Sequence, residues 1–242
     1  MTDQTNNPYA APTSDIETST RLTFENPTKK ANLAIKAFYA VLAVYVTHII
    51  TQIWRIGTFK EYLATQANWE ELEKGDQIEG TIGIILGLVT IVLIIFFLRW
   101  FHQCYKNVIA LEADSLEHSP GWAVGWFFIP FANLVKPYSV AAEMWKASSP
   151  KYPSEDRLSS WRLAETGWVV PMWWFTFLAS SVFERIVLTK TRSASSLEDY
   201  LDIASLDIAS SIVTIGGIIS ALIFIKKLSE RQNQRFNILT QS

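Results

Sequence analysis

The segment Gly80 to Trp100, GTIGIILGLVTIVLIIFFLRW, has no charge before Arg99, and it limits what this chain can fold into more than any other feature. Its length matches the roughly 20 residues needed to cross a ~30 Å hydrocarbon layer as a helix. Its β-branched residues do not argue against a helix, because an unpaired backbone group inside a bilayer is so costly that helices form regardless of propensity. The rest of the chain repeats the pattern. Predicted spans cover 33–55, 80–100, 164–185 and 205–225. In the first, Lys36 can snorkel and Trp54-Arg55 marks an interface. The apolar part of the third runs from about Gly167 to Phe183, with Pro171 near one end and Trp168, Trp173 and Trp174 expected at a membrane surface. The fourth ends at Lys226-Lys227. Gly83 with Gly87, and Gly216, Gly217 and Ser220, offer small surfaces for close helix contact.

Composition agrees with a membrane protein: 49% of residues are hydrophobic and 18% charged, a poor balance for a water-soluble surface. A net charge of -2 argues against nucleic acid as a partner, since phosphate neutralisation needs a concentrated basic face. The single cysteine, Cys104, leaves no intrachain disulfide and no multi-cysteine zinc site. Residues 1–32 are polar and are expected to be a disordered cytoplasmic tail containing Asn7-Pro8-Tyr9-Ala10-Ala11-Pro12, with no cleaved leader. The membrane domain is placed at 33–228, and 229–242 is expected to be a cytoplasmic C-terminal tail. Just before the fourth span, Leu201 to Ser205 is repeated as Leu206 to Ser210; a local duplication that lengthens the approach to the helix explains it, with Asp207 at the interface.

Orientation follows from Lys and Arg near the spans. Fifteen of the 21 basic residues lie in the N-terminal flank, the loop between the second and third spans, and the C-terminal flank; the other six are Arg55, Lys60, Lys74, Arg185, Lys190 and Arg192. Both termini are therefore expected in the cytoplasm, with the acidic loop from Gly57 to Glu79 outside.

Between the second and third spans lies SPGWAVGWFFIPFANLVKPY at 119–138, an apolar block broken by Pro130 and too short to cross a bilayer. An element at 119–148 is expected to lie in the cytoplasmic interface or to dip in as a re-entrant turn, with Trp122 and Trp126 on one face. The pattern of Trp100, Asn107, Ser119-Pro120-Gly121-Trp122, Trp126 to Pro130, Asn133-Leu134, Lys136-Pro137 and Trp145 to Ser148 resembles the signature of the DUF4328 family of uncharacterised multispan membrane proteins. The resemblance extends, less sharply, over most of the chain outside the tail. It implies a bacterial inner (plasma) membrane protein with several spans, and brings neither an activity nor catalytic residues.

The candidate chemistry is sparse. His48 lies inside the first span without an acidic partner in the spans, so it is expected to be neutral and bonded to a neighbouring helix. His102, Cys104, Glu112, Asp114 and His118 cluster in sequence but lack metal-site spacing. Ser159 and Ser160 near Glu165 do not make a nucleophile and base. Asn133 is expected to cap the helix that follows, and Lys136 to touch anionic lipid.

The expected fold is thus all-α: an integral membrane four-helix bundle with a short interfacial or re-entrant element on the cytoplasmic side between helices two and three. The leading functional expectation is a non-enzymatic scaffold or accessory protein. It would bind lipid or a protein partner through Trp122, Trp126, Pro130, Asn133, Lys136, Pro137 and Trp145, with no catalytic residue, metal or cofactor. Its partners are membrane lipids, a membrane protein or further copies of itself. The alternatives are an oligomeric small-solute or ion channel or transporter, and, last, a membrane-embedded enzyme using His102 or Glu112. With Cys104 replaced by serine, a cysteine introduced by Ser195→Cys should react with an impermeant maleimide added outside intact cells, and one introduced by Ser115→Cys should not. The reverse labelling pattern inverts the orientation.

Overall fold

The computed structural model describes residues 23–151 and 160–241. Most of the expected N-terminal tail, with its Asn-Pro-Tyr-Ala-Ala-Pro stretch, lies outside the described residues, as do Arg157 and Ser159. The described residues are helical apart from turns and connectors: α1 (Thr28–Thr65), α2 (Trp69–Ala110), α3 (Pro120–Gly125), α4 (Lys136–Ala147), α5 (Val169–Ser193) and α6 (Leu197–Gln241). α1, α2 and α6 are long and apolar enough to cross a membrane. α5, expected as another span, is 25 residues long and falls outside that group; Thr176, Ser180, Ser181, Glu184 and Arg185 dilute its apolar stretch.

α1 packs along α2 and α6, and α6 along α5, so neighbouring helices follow the order α2, α1, α6, α5. One end, here the terminal end, carries Thr28, Ala110, Val169 and Gln241; the other, the hairpin end, carries the α1–α2 and α5–α6 turns. Ile84, Leu88, Ile91, Val92 and Ile95 of α2 are exposed. A continuous apolar belt of this kind fits lipid, not water.

The long helices overrun the apolar segments. At 1.5 Å per residue α1 and α2 each extend about 60 Å, roughly twice the hydrocarbon thickness. The expected acidic loop at 57–79 is in fact the helical top of a hairpin, reversed by Gln66, Ala67 and Asn68. Gln66 and Asn68 adopt left-handed φ values of 57° and 66°, a conformation Asn tolerates better than most residues. The boundaries also shift at the terminal end. α6 continues as helix to Gln241 where a tail was expected, and residues 23–27 pack rather than trail: Phe24 stacks on Phe236 with ring centroids 4.2 Å apart.

A buried polar junction joins these pieces. Asn107 is fully buried; its Oδ1 accepts from the Glu25 amide (3.1 Å) and Gln103 Nε2 (3.0 Å), while its Nδ2 donates to Glu25 O (2.8 Å) and Gln232 Oε1 (3.1 Å). Gln232 in turn donates to Cys104 O at 2.7 Å, and Trp100 Nε1 donates to Ser229 Oγ at 3.0 Å. Beside it an aromatic cluster forms: Trp173 stacks on Phe224 at 4.6 Å and approaches Phe97 and Phe101. Trp173 and Trp174 are therefore buried, not surface anchors, while Trp168 is exposed, with Lys227 Nζ 4.8 Å over its ring.

Asn107→Leu keeps the branched shape but adds volume at a fully buried site and strands four groups, so it should cost more than about 2 kcal/mol. The exposed Asn237→Leu on α6 should be neutral within about 0.5 kcal/mol. Thermal unfolding of the detergent-solubilised variants checks the difference.

Candidate functional site

The chain between α2 and α5 folds as its punctuation dictates. Ser119 Oγ accepts from the Trp122 amide at 3.4 Å and Pro120 opens α3, where a missing N–H costs nothing. α3 tightens into a 3-10 turn at Trp126–Phe128, the chain breaks at Pro130, and a second 3-10 turn follows at Ala132–Leu134. Between them Phe131 takes φ 64°. It is 86% exposed and Phe128 is exposed too, so this bend projects its rings outward. The Leu134 carbonyl accepts from Trp174 Nε1 at 3.1 Å, which holds the bend against α5.

The sequence-chosen residues separate into two groups. Trp122 and Trp126 do share a face, with ring centroids 4.7 Å apart, and Lys136 Nζ sits 5.4 Å over the Trp126 ring. Pro130 is exposed at the bend. Pro137 and Trp145 are buried. The Trp145 carbonyl accepts from Arg231 Nε at 2.8 Å, and its ring lies so close to Gly167 that a Cβ there would approach to 2.5 Å. Asn133 does not cap α4, which starts at Lys136 with no side-chain cap. Instead Asn133 lines a cavity, and its Oδ1 is buried without a hydrogen bond.

That cavity, about 380 Å³, lies between α2 and α5, which do not pack along each other. α1 and α6 form its back through Phe38, Val41, Ile218 and Ala221. Phe127, Phe128 and Asn133 of the broken element border it at the terminal end, and Tyr45, Thr214 and Glu184 at the other. Ile94, Phe128 and Phe177 in its lining are also exposed, so it is a cleft open at its side. The Tyr45 hydroxyl donates to Glu184 Oε1 at 3.0 Å.

Towards the hairpin end lies a polar group that the sequence reading missed. His48 Nε2 is 2.9 Å from Asp207 Oδ2 and its Nδ1 is 3.2 Å from Glu79 Oε1. The expectation that His48 has no acidic partner is therefore corrected: Glu79 and Asp207, at the edges of two other spans, both reach it. Gln52 Nε2 donates to the same Asp207 oxygen at 2.9 Å, and Arg55 pairs with Asp76 at 2.6 Å. The available signal was spacing. Tyr45, His48, Gln52 and Arg55 recur every three or four residues, one polar stripe on α1. The duplicated pentapeptide contributes as well, since five residues rotate a helix by about 140°. Asp202 is exposed, whereas Asp207, its counterpart in the second copy, turns to His48.

The candidates clustered in sequence after α2 do not converge. Cys104 is buried and its carbonyl accepts from Gln232. His118 donates its amide to Tyr105 Oη (3.1 Å), while Glu112 and Asp114 are exposed. Among the described residues, the group whose donor atoms come within 4.8 Å of one another is His48, Glu79 and Asp207.

Residues 64–230 match the model of a family described as a domain of unknown function, DUF4328. No curated protein and no solved structure matches the chain.

Proposed function

Because the chain belongs to the DUF4328 family, whose description names no activity, we propose its function from geometry: it is a non-enzymatic membrane protein that holds a lipid acyl chain in the cleft between α2 and α5. In this reading α5 is the fourth span, both termini are cytoplasmic, and the membrane is the bacterial inner membrane. The distribution of Lys and Arg supports that orientation.

The cleft carries the proposal. Its lining is chiefly apolar, its volume is in the range of small-molecule sites, and its open side faces outward at the level of the exposed apolar belt of α2. An acyl chain can enter sideways without crossing water. The polar points lie at the ends: Asn133 offers an unmatched acceptor at the terminal end, and the exposed Lys136 stands nearby to meet a phosphate. Phe128 and Phe131 would sit in the hydrocarbon and make the broken element re-entrant. A permeation path would need a polar lining, so this arrangement favours lipid over solute transport.

Extraction in native lipid particles followed by native mass spectrometry tests the reading. The wild-type chain should retain one lipid after mild delipidation. Ser181→Trp, which fills the cleft from α5, should lose that lipid with little change in melting temperature. Lys136→Ala should weaken retention of anionic lipids in particular. Equal retention by wild type and Ser181→Trp would put the lipid elsewhere and overturn the proposal.

A further inference from the structure

The polar group near the hairpin end does not line the lipid cleft, and it sets a buried histidine nitrogen that makes no hydrogen bond against a carboxylate whose second oxygen is also unbonded. We infer that His48, Glu79 and Asp207 form a binding site for one divalent cation of the zinc class. The three side chains come from α1, α2 and α6, far apart in sequence, and one donor atom from each lies within 4.8 Å of the others.

The tautomer of His48 leads to the cation. Asp207 Oδ2 sits 2.9 Å from Nε2 with hydrogen-bond geometry, so Nε2 carries the proton and donates it. In the neutral imidazole Nδ1 then keeps its lone pair, and it faces Glu79 Oε1 at 3.2 Å, an ion-pair distance without hydrogen-bond geometry. Glu79 Oε2 is also buried and unbonded. Two acceptors turned towards each other repel unless a positive charge lies between or beside them. A carboxylate that takes the Nε2 proton while Nδ1 faces outward is the arrangement that orients metal-binding histidines. Gln52 Nε2 holds Asp207 Oδ2 at 2.9 Å.

Charge and access point the same way. A second proton on His48 would add one positive charge against two carboxylates, whereas a divalent ion with neutral His48 balances both. The neighbouring charges are already engaged: Arg55 with Asp76 at 2.6 Å, and Glu184 with Tyr45 at 3.0 Å. His48 itself is 7% exposed, but the side chains of Glu79 and Asp207 are 27% and 22% exposed, leaving an approach for a hydrated ion. The ligands are His48 Nδ1 and Glu79, with Asp207 orienting the ring from Nε2; an imidazole nitrogen beside a carboxylate suits zinc and similar transition metals, with positions left for water, whereas calcium prefers six to eight oxygen ligands.

The test uses full-length protein with any affinity tag removed, stripped by chelator and dialysed against micromolar free Zn²⁺. Metal content by mass spectrometry should reach one zinc per chain, and zinc should raise the melting temperature. Glu79→Gln should lower zinc affinity by more than about tenfold while leaving lipid retention intact. Asp207→Asn, which can still bond His48, serves as the second variant should Glu79→Gln fold poorly. Lys74→Gln, elsewhere on α2, should bind as wild type. The inference is overturned if the wild type takes up no zinc, or if both carboxylate variants bind as well as wild type. Loss of uptake by Ser181→Trp would also count against it, since the cleft and this site are separate.

Discussion

The Asn107 side chain is fully buried with all its hydrogen-bonding capacity used, and the arrangement of the long helices depends on that satisfaction. Between apolar helices in a bilayer the hydrophobic effect offers little to choose one register over another, because lipid tails are as apolar as leucine. Polar groups do discriminate: a register shift of one residue would leave Asn107 and Gln232 unpaired in a low-dielectric interior. The His48 group applies the same constraint near the opposite end, where α1, α2 and α6 meet again. Fixed at both ends, these three helices form a frame.

The cleft is a consequence of how α5 joins that frame. α5 docks on α6 through small and hydroxyl-bearing residues: Thr176 Oγ1 lies 2.6 Å from Ser220 Oγ, and a Cβ on Gly217 would come within 3.1 Å of Ser180 Oγ. Close approach of two backbones on that side leaves α5 away from α2. At the terminal end the gap is bridged by Trp173, Phe97 and Phe101, rings large enough to span it, and beyond them it stays open. The broken element then covers the terminal end of the gap, anchored by the Trp174 to Leu134 bond.

The parts of the fold written in local pattern were legible in the sequence. Unbroken apolar runs announced α1, α2 and α6, and Pro130 with its flanking aromatics announced the broken element. Lengths were not legible, because Trp69 to Glu79 is acidic and its helicity comes from pairing with the top of α1, not from hydrophobicity. Small residues misled in one place: Gly83 and Gly87 face open space, while Gly217 makes the close contact. A glycine pair records what is permitted, not which face is buried. For the candidate site, Trp122 and Trp126 come together as their spacing implied, Lys136 joins them over the Trp126 ring, and Trp145 turns out to be interior packing against Gly167. The His48 group escaped because each member, read against its own span, has an ordinary explanation: an interfacial carboxylate, a flanking acid, a lone histidine. It exists only when three helices are superposed.

One face of α1 serves both features. Tyr45 lies one helical turn before His48, and it reaches Glu184 across the hairpin end of the cleft while His48 meets Glu79 and Asp207. Side chains at i and i+3 share a helix face, so α1 cannot rotate to change one set of contacts without moving the other. α6 is bound in the same way, contributing Asp207 to the polar group and Thr214, Gly217 and Ile218 to the cleft wall. The polar contacts therefore fix the register of α1 and α6, while the cleft lining comes from other residues on the same two helices. That is a physical reason for this chain to carry a costly histidine and two carboxylates among apolar helices, where leucines would have packed with less desolvation.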